Sequence, residues 1–236
     1  MITLLEGLDK KMNQHTDKNF ESRLTLIRDQ LSEMSALIEK QLSLAINCIK
    51  SKESDCSETI QKLDLEVDQF EKRIRDDCFE VLTLHQPVAS DLRLVFTALK
   101  VSKEMERIGD HCRGLSNKAI KSKSDLEPEI IEGLTALGNS VLSLVHEVFD
   151  SLFKNNEDKA KESWRRDLEI DKLYKSILKT LINKMEQNES IIESGTQHIL
   201  IAKSLERIGD HAANIAEEVI FNISGQYLDL EKIKIQ

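Results

Sequence analysis

The chain has 236 residues with 33 Lys and Arg against 42 Asp and Glu, a net charge of −9, and 32% charged, 40% hydrophobic and 4% aromatic residues. With two prolines and eight glycines, this is the composition of long helices around a continuous apolar core. The acidic balance, with no basic patch, argues against direct nucleic-acid binding, and no apolar run approaches the roughly 18 residues of a membrane span.

At the start, Met1 to Lys11 lacks the apolar core and cleavage site of a secretory leader; residues 1–19 read as a tail. Leu24, Ile27, Leu31, Met34, Leu37, Ile38, Leu42 and Ala45 recur with helical period and predict a first helix ending near Lys50–Lys52. Ile60, Leu63, Val67, Phe70, Ile74 and Val81 predict a second, stopped before Pro87 because proline disfavours helix at Gln86. Pro87 suits the first turn of a third helix, with Asp91 near its positive end, running to about Lys121. After the polar stretch Lys121–Glu127, helices are predicted at Leu134–Phe153, Ala160–Met185 and Ile191–Ile223, with turns at Asn155-Asn156 and Asn188. Cys48, Cys56, Cys78 and Cys112 show no Cys-x-x-Cys spacing and read as reduced thiols of a cytosolic protein. Cys78 and Cys112 fall on apolar faces, and Trp164 reads as a packing residue.

The chain repeats itself. Ala98–Ile120 aligns with His198–Ile220 at an offset of 100, both containing E-R-I-G-D-H at 106–111 and 206–211, and Leu63–Asp68 aligns with Arg166–Asp171 at an offset of 103. Two matching blocks in the same order mark a tandem duplication. The expected fold is therefore all-α: two tandem repeats of a three-helix bundle, six long antiparallel helices in total. The first bundle covers 20–121, a linker 122–127, the second bundle 128–224, and a C-terminal tail 225–236.

The repeat also places carboxylates four residues apart four times: Asp64/Asp68, Glu106/Asp110, Asp167/Asp171 and Glu206/Asp210. Like charges at i and i+4 share a helix face and cost about 0.2–0.5 kcal/mol, a term that a bound cation would reverse. On a helical wheel Glu106/Asp110 and Glu206/Asp210 fall opposite the core stripe and are expected to project outward. Asp64/Asp68 and Asp167/Asp171 flank the stripe, where they can reach a neighbouring helix. Oxygen ligands from two adjacent helices suit a divalent or trivalent metal. The competing reading is a solvated face neutralised by Lys103 and Arg113, although Ala213 stands at the position of Arg113 in the second copy. His111 and His211 point away from the adjacent Asp110 and Asp210 and read as surface or interface residues. Gly109 and Gly209, unfavourable inside helices by about 1 kcal/mol, suggest close helix approach. No Glu-x-x-His, phosphate-binding loop or nucleophile elbow is present, so the chain does not read as an enzyme.

H-Q-P-V-A-S-D-L-R-L-V at His85–Val95, the two E-R-I-G-D segments and the repeated acidic pairs resemble the PhoU family, accessory proteins of bacterial phosphate-specific transport. The resemblance spans about Phe20 to Ile223. It implies two three-helix bundles and a cytoplasmic negative regulator of the phosphate-starvation response. The implied partners are the nucleotide-binding subunit of the phosphate ABC transporter and the sensor histidine kinase, reached by peripheral association, with homodimerisation common. It also implies metal ions (iron, zinc, manganese or magnesium) on Asp64, Asp68, Glu106, Asp110, Asp167, Asp171, Glu206 and Asp210. A structural helical adaptor without metal is the alternative. The His85–Val95 segment has no counterpart in the second copy, so any role of Asp91 and Arg93 beyond a helix start with an ion-paired arginine belongs to one bundle.

Overall fold

The computed structural model describes residues 2–51, 54–122 and 128–227, with side chains over 18–51, 55–122 and 128–227. All of its long elements are helices: α1 (Ile2–Ser51), α2 (Ser54–His85), α3 (Ala89–Lys121), α4 (Pro128–Lys154), α5 (Glu157–Gln187) and α6 (Ile192–Ser224). A single 3-10 turn, Glu189–Ile191, precedes α6. The first three pack on one another as one bundle and the last three as a second, so the six-helix, two-repeat architecture read from the duplication is the one found.

The apolar stripes end up inside. Ile27, Met34, Ile38 and Leu42 of α1, Ile60, Val67 and Ile74 of α2, and Val101, Met105, Ile108 and Leu115 of α3 are all fully buried. Leu137, Val141 and Leu144 of α4, Leu181 of α5, and Leu205 and Ile208 of α6 do the same for the second bundle. The bundles share one continuous core, because α3 lies along α6 and α1 touches α4. Each side chain taken from water in this way contributes about 1.5–3 kcal/mol. At the α1–α4 crossing Gly138 has no room for a Cβ, which would sit 2.8 Å from Ile46 Cγ1.

Helix ends depart from expectation in three places, the simplest being α4, which starts at Pro128 and not at Leu134. α1 extends through residues 2–19, read above as a tail; with no proline and one glycine before Ser51, nothing in that stretch breaks the helix. Pro87 lies before α3 and not in its first turn, which starts at Ala89 with Val88 as its cap. The reason is local: Gln86 (φ 47°) and Ala89 (φ 49°) adopt left-handed backbone on either side of Pro87-Val88, so the chain makes a corner before it can coil. Elsewhere the turn residues act as expected. Asn156 accepts a hydrogen bond from Lys159 N (3.0 Å) to cap α5, and Asn188 accepts from Ser190 N (3.1 Å). Gly225, at φ 71°, ends α6. Of the expected linker only Ser122 lies within the described residues, and of the expected C-terminal tail only 225–227.

The cysteine reading is corrected. The α1–α2 corner brings the Cα atoms of Cys48 and Cys56 to 6.2 Å and the two form a disulfide, which a pattern search for Cys-x-x-Cys could not anticipate at a separation of eight. Cys78 and Cys112 are free and buried, as their apolar faces predict.

Arg93 crosses between bundles. Its Nε donates to the carbonyl of Asn222 (3.2 Å) in the last turn of α6, so its partner is a main-chain oxygen of the other repeat and not a carboxylate. Lys100 follows one face along, pairing with Glu218 at 2.8 Å. A cation on a last-turn carbonyl is worth about 1 kcal/mol. Arg93→Ala is therefore expected to lower stability by about 1 kcal/mol in urea unfolding, with Arg93→Lys recovering part of it; equal stability of all three would show the contact carries nothing.

Candidate functional site

The repeated acids line two helix–helix grooves, one between α2 and α3 and one between α5 and α6. Gly109 and Gly209 make this possible. A Cβ on Gly109 would lie 3.4 Å from both Asp64 Oδ1 and Val67 Cγ1, and one on Gly209 would lie 2.8 Å from Asp167 Oδ1 and 3.2 Å from Ile170 Cγ2. The glycine backbone thus lets the preceding helix close in, and the aspartate of that helix rests over the gap.

This placement corrects the outward projection expected for the α3 and α6 acids. Glu206 is only 8% exposed, and Glu106 and Asp110 are half-buried. A helical wheel assumes one buried direction. α3 and α6 have neighbours on more than one side, since each packs on both partners in its own bundle and on the other. Asp64 is buried at 5% exposure, in line with its position beside the stripe.

In the first bundle one arginine bridges two of the acids across the groove. Arg113 Nε lies 2.7 Å from Asp64 Oδ2 while its Nη2 lies 2.5 Å from Asp110 Oδ1. Lys103 Nζ is 2.9 Å from Glu106 Oε2. Burial raises the Asp64 carboxyl above its ordinary range, and Arg113 and a hydrogen bond from Gln41 oppose the rise. Gln41, on α1, is fully buried. Its Nε2 donates to Asp64 Oδ1 (3.2 Å) and to the carbonyls of Gly109 (3.3 Å) and Ile60 (3.4 Å), while its Oε1 has no partner among the described residues. The sequence reading missed Gln41. Its signal was a single polar residue in the stripe Met34, Ile38, Gln41, Ala45.

The second bundle keeps the acids and loses the central cation. One carboxylate oxygen each from Asp171, Glu206 and Asp210 lie within 4.8 Å of one another, and no other group of three ligating side chains converges so closely among the described residues. Lys203 Nζ holds Glu206 at 2.5 Å and Arg207 lies 3.7 Å from Asp210. Asp167 completes the cluster. Burial first, then the charges of Asp210, Asp171 and Glu206, push its carboxyl up to about 7, and Asp210 is raised by burial and by Glu206. An all-oxygen donor set suits a hard cation. Ligand oxygens about 2.0–2.6 Å from an ion lie at most about 5 Å apart, so the spacing of Asp171, Glu206 and Asp210 suits one once Lys175 and Lys203 turn aside. The structure thus brings three of the eight candidate residues together with Asp167 beside them, and joins Asp64 and Asp110 through Arg113. The charge of Asp68 reaches that pair, and Glu106 stays with Lys103.

The histidines meet at the bundle interface. The rings of His111 and His211 lie 5.3 Å apart, and His211 Nδ1 is 2.7 Å from Glu104 Oε2 on α3. Burial, helped by His211 and Lys118, holds His111 down to about 4. Trp164 packs against the core and donates from Nε1 to Glu217 Oε1 (2.9 Å). Among the described residues no helix is long and apolar enough to cross a membrane.

Both repeats are similar to a known family. Residues 31–119 and 134–219 each match the PhoU domain. The phosphate-specific transport system accessory protein PhoU homolog of Clostridium acetobutylicum is 33% identical over 216 residues, covering 91% of this chain and 99% of that protein. The phosphate-specific transport system accessory protein PhoU of Escherichia coli K12 is 32% identical over 215 residues, covering 91% of this chain and 89% of that protein. The crystal structure of PhoU from Pseudomonas aeruginosa superposes with a TM-score of 0.85 at 32% identity, covering 88% of this chain and all of that one.

Proposed function

The chain belongs to the PhoU family, whose members are accessory proteins and not enzymes, and from that premise we propose that it represses the phosphate-starvation response. It acts in the cytoplasm between the nucleotide-binding subunit of a phosphate ABC transporter and the sensor histidine kinase of the phosphate two-component system, as a homodimer that docks peripherally. Divalent or trivalent metal ions sit on the acidic clusters, supplying a positive centre that sets the charge of the docking face. The observation that carries this reading is the match to both repeats, with the acids at corresponding places in each.

Of the residues present, Asp167, Asp171, Glu206 and Asp210 would hold such an ion in the second bundle, and Asp64, Asp68, Glu106 and Asp110 in the first. Metal-free adaptor behaviour is favoured by one observation: Arg113 already neutralises Asp64 and Asp110. Elemental analysis of protein purified without chelators separates the two.

The regulatory reading is tested in the parent organism. Deleting the gene is expected to switch on a phosphate-responsive reporter in phosphate-rich medium, and the wild-type gene to restore silence. A Glu206→Gln, Asp210→Asn variant is expected to stay folded, repress poorly, and capture the kinase cytoplasmic domain and transporter subunit less well in pull-downs. A reporter that stays silent after deletion would sink the proposal.

A further inference from the structure

The duplication supplies an internal control. On α3 and α6 the residues around the acids correspond one to one: Lys103 to Lys203, Glu106 to Glu206, Arg107 to Arg207, Gly109 to Gly209, Asp110 to Asp210. Lys103 pairs with Glu106 as Lys203 pairs with Glu206. Arg107 stands 3.7 Å from Asp110 as Arg207 stands 3.7 Å from Asp210. On the facing helices Asp64 and Asp68 match Asp167 and Asp171. On α3 and α6 one cation beside the acids breaks the correspondence: Arg113 in the first repeat, Ala213 in the second.

Arg113 is placed as a bound cation would be. Its guanidinium bridges a carboxylate from α2 and one from α3, at 2.7 Å and 2.5 Å, which is the cross-helix arrangement a metal would adopt. The guanidinium is delocalised and stays a cation throughout the stable range of the protein. In the second repeat the methyl of Ala213 offers no charge, and the three carboxylates converge each with a cation of its own helix, Lys175 at Asp171, Lys203 at Glu206 and Arg207 at Asp210.

We propose that Arg113 is a built-in counter-ion that competes with metal in the first bundle, so that the two acidic clusters are unequal and the second, around Asp171, Glu206 and Asp210, is the one that fills at low metal concentration. This rests on the reading that the clusters bind metal. A cation entering the first cluster must break the two charge-assisted hydrogen bonds by which Arg113 ties α2 to α3 and expel that arginine to solvent. One entering the second meets an already gathered donor set whose lysines, Lys175 and Lys203, pair along their own helices and turn aside without breaking a cross-helix tie, and it gains from relieving carboxylate repulsion. The protein would then carry one site suited to permanent occupancy and one that responds to metal supply. Filling of the responsive site, around Asp64 and Asp110, would be read out as the swing of a single arginine at the α2–α3 surface.

Mn2+ tests this on the full-length, chelator-stripped protein, because free Mn2+ is counted directly by electron paramagnetic resonance. Wild type is expected to show two classes of site separated by at least about tenfold in Kd, the tighter one lost in Glu206→Gln, Asp210→Asn. Arg113→Ala and the more conservative Arg113→Gln should each bring the weaker class to within about threefold of the tighter. Ala213→Arg should weaken the tight class by at least about tenfold while leaving the other untouched. Circular dichroism on each variant confirms that it is helical, and the two Arg113 variants guard against one failing to fold. Two equal sites in wild type, unmoved by either Arg113 variant, would overturn the competition while leaving metal binding in place. Absence of Mn2+ from wild type and from both Arg113 variants would overturn the competition and the metal reading together.

Discussion

Asp167→Asn is expected to stabilise the metal-free protein at pH 8 by on the order of 2 kcal/mol and to make no difference near pH 4. The carboxyl sits at about 7 in the folded chain against 3.8 in a free one. A group whose folded value is raised binds its proton more tightly when folded, so its favourable contribution is full below 3.8 and is lost as pH rises through 7. About three units correspond to about 4 kcal/mol at most, and partial access to solvent screens roughly half of it. Asparagine has nearly the shape of the protonated acid and cannot ionise, so the variant escapes the penalty at every pH. Urea unfolding in the presence of a chelator at pH 8, 6 and 4 measures the effect as a gap that closes toward acid. Mn2+ should narrow the gap at pH 8 by stabilising wild type more than the variant. A variant less stable than wild type at pH 8 would mean that the ionised Asp167 has a compensating partner.

The corresponding change in the first bundle should behave differently. Asp64 is also raised by burial, but Asp64→Asn removes the ion pair with Arg113 at 2.7 Å along with the penalty. The two effects oppose, and the net change at pH 8 is expected within about 0.5 kcal/mol. The contrast between Asp167 and Asp64 thus reports on the Arg113/Ala213 difference through stability alone, without any metal.

That difference was open to sequence reading, because the repeat aligns Arg113 with Ala213 and the acidic pairs with one another. So were the six helices: period and turn residues place Val81, Asn156 and Asn188 where the structure has them, and a duplicated chain must bury matching stripes. What could not be read were features made by two segments at once. The inward turn of Glu206 comes from α5 closing over Gly209 and α3 lying along α6, neither of which a wheel for α6 contains. Gln41 finds Asp64 and Gly109 only after three helices assemble. Arg93 looked like part of a helix start because its partner, the Asn222 carbonyl, is 129 residues away. The Cys48–Cys56 link depends on how the α1–α2 corner folds back, and composition argued the other way. Position along one helix was legible; the direction a side chain faces, once a second and third helix arrive, was not.

Gly209→Leu is expected to cost about 3 kcal/mol and to scatter the second acidic cluster. Glycine inside a helix is ordinarily a weakness that alanine repairs by about 1 kcal/mol. Gly114 shows the ordinary case: a Cβ there meets only Lys118 Nζ, at 3.6 Å, and Gly114→Ala should stabilise by about that amount. Gly209 reverses the sign. Its first added carbon would stand 2.8 Å from Asp167 Oδ1 and 3.2 Å from Ile170 Cγ2, and Ile170 is a buried core residue of α5 with little freedom to yield. A leucine extends further in the same direction, so α5 must move away from α6. Because Asp171 belongs to α5 while Glu206 and Asp210 belong to α6, that movement opens the 4.8 Å grouping. Gly209→Ala should fall between, its helix gain outweighed by contact, for a net loss of about 1 kcal/mol. Gly109→Ala should sit nearer neutral, because its contacts are looser and its closest, at 3.1 Å, is the end of the longer Gln41 side chain. Thermal unfolding of the four alanine and leucine variants gives the order Gly114→Ala, Gly109→Ala, Gly209→Ala, Gly209→Leu from most to least stable. Mn2+ binding to the second bundle should survive the first two and fail in the last. If Gly209→Leu unfolds with wild-type stability and still binds Mn2+ there, α5 and α6 do not pack through that glycine, and the cluster must be held by some other contact.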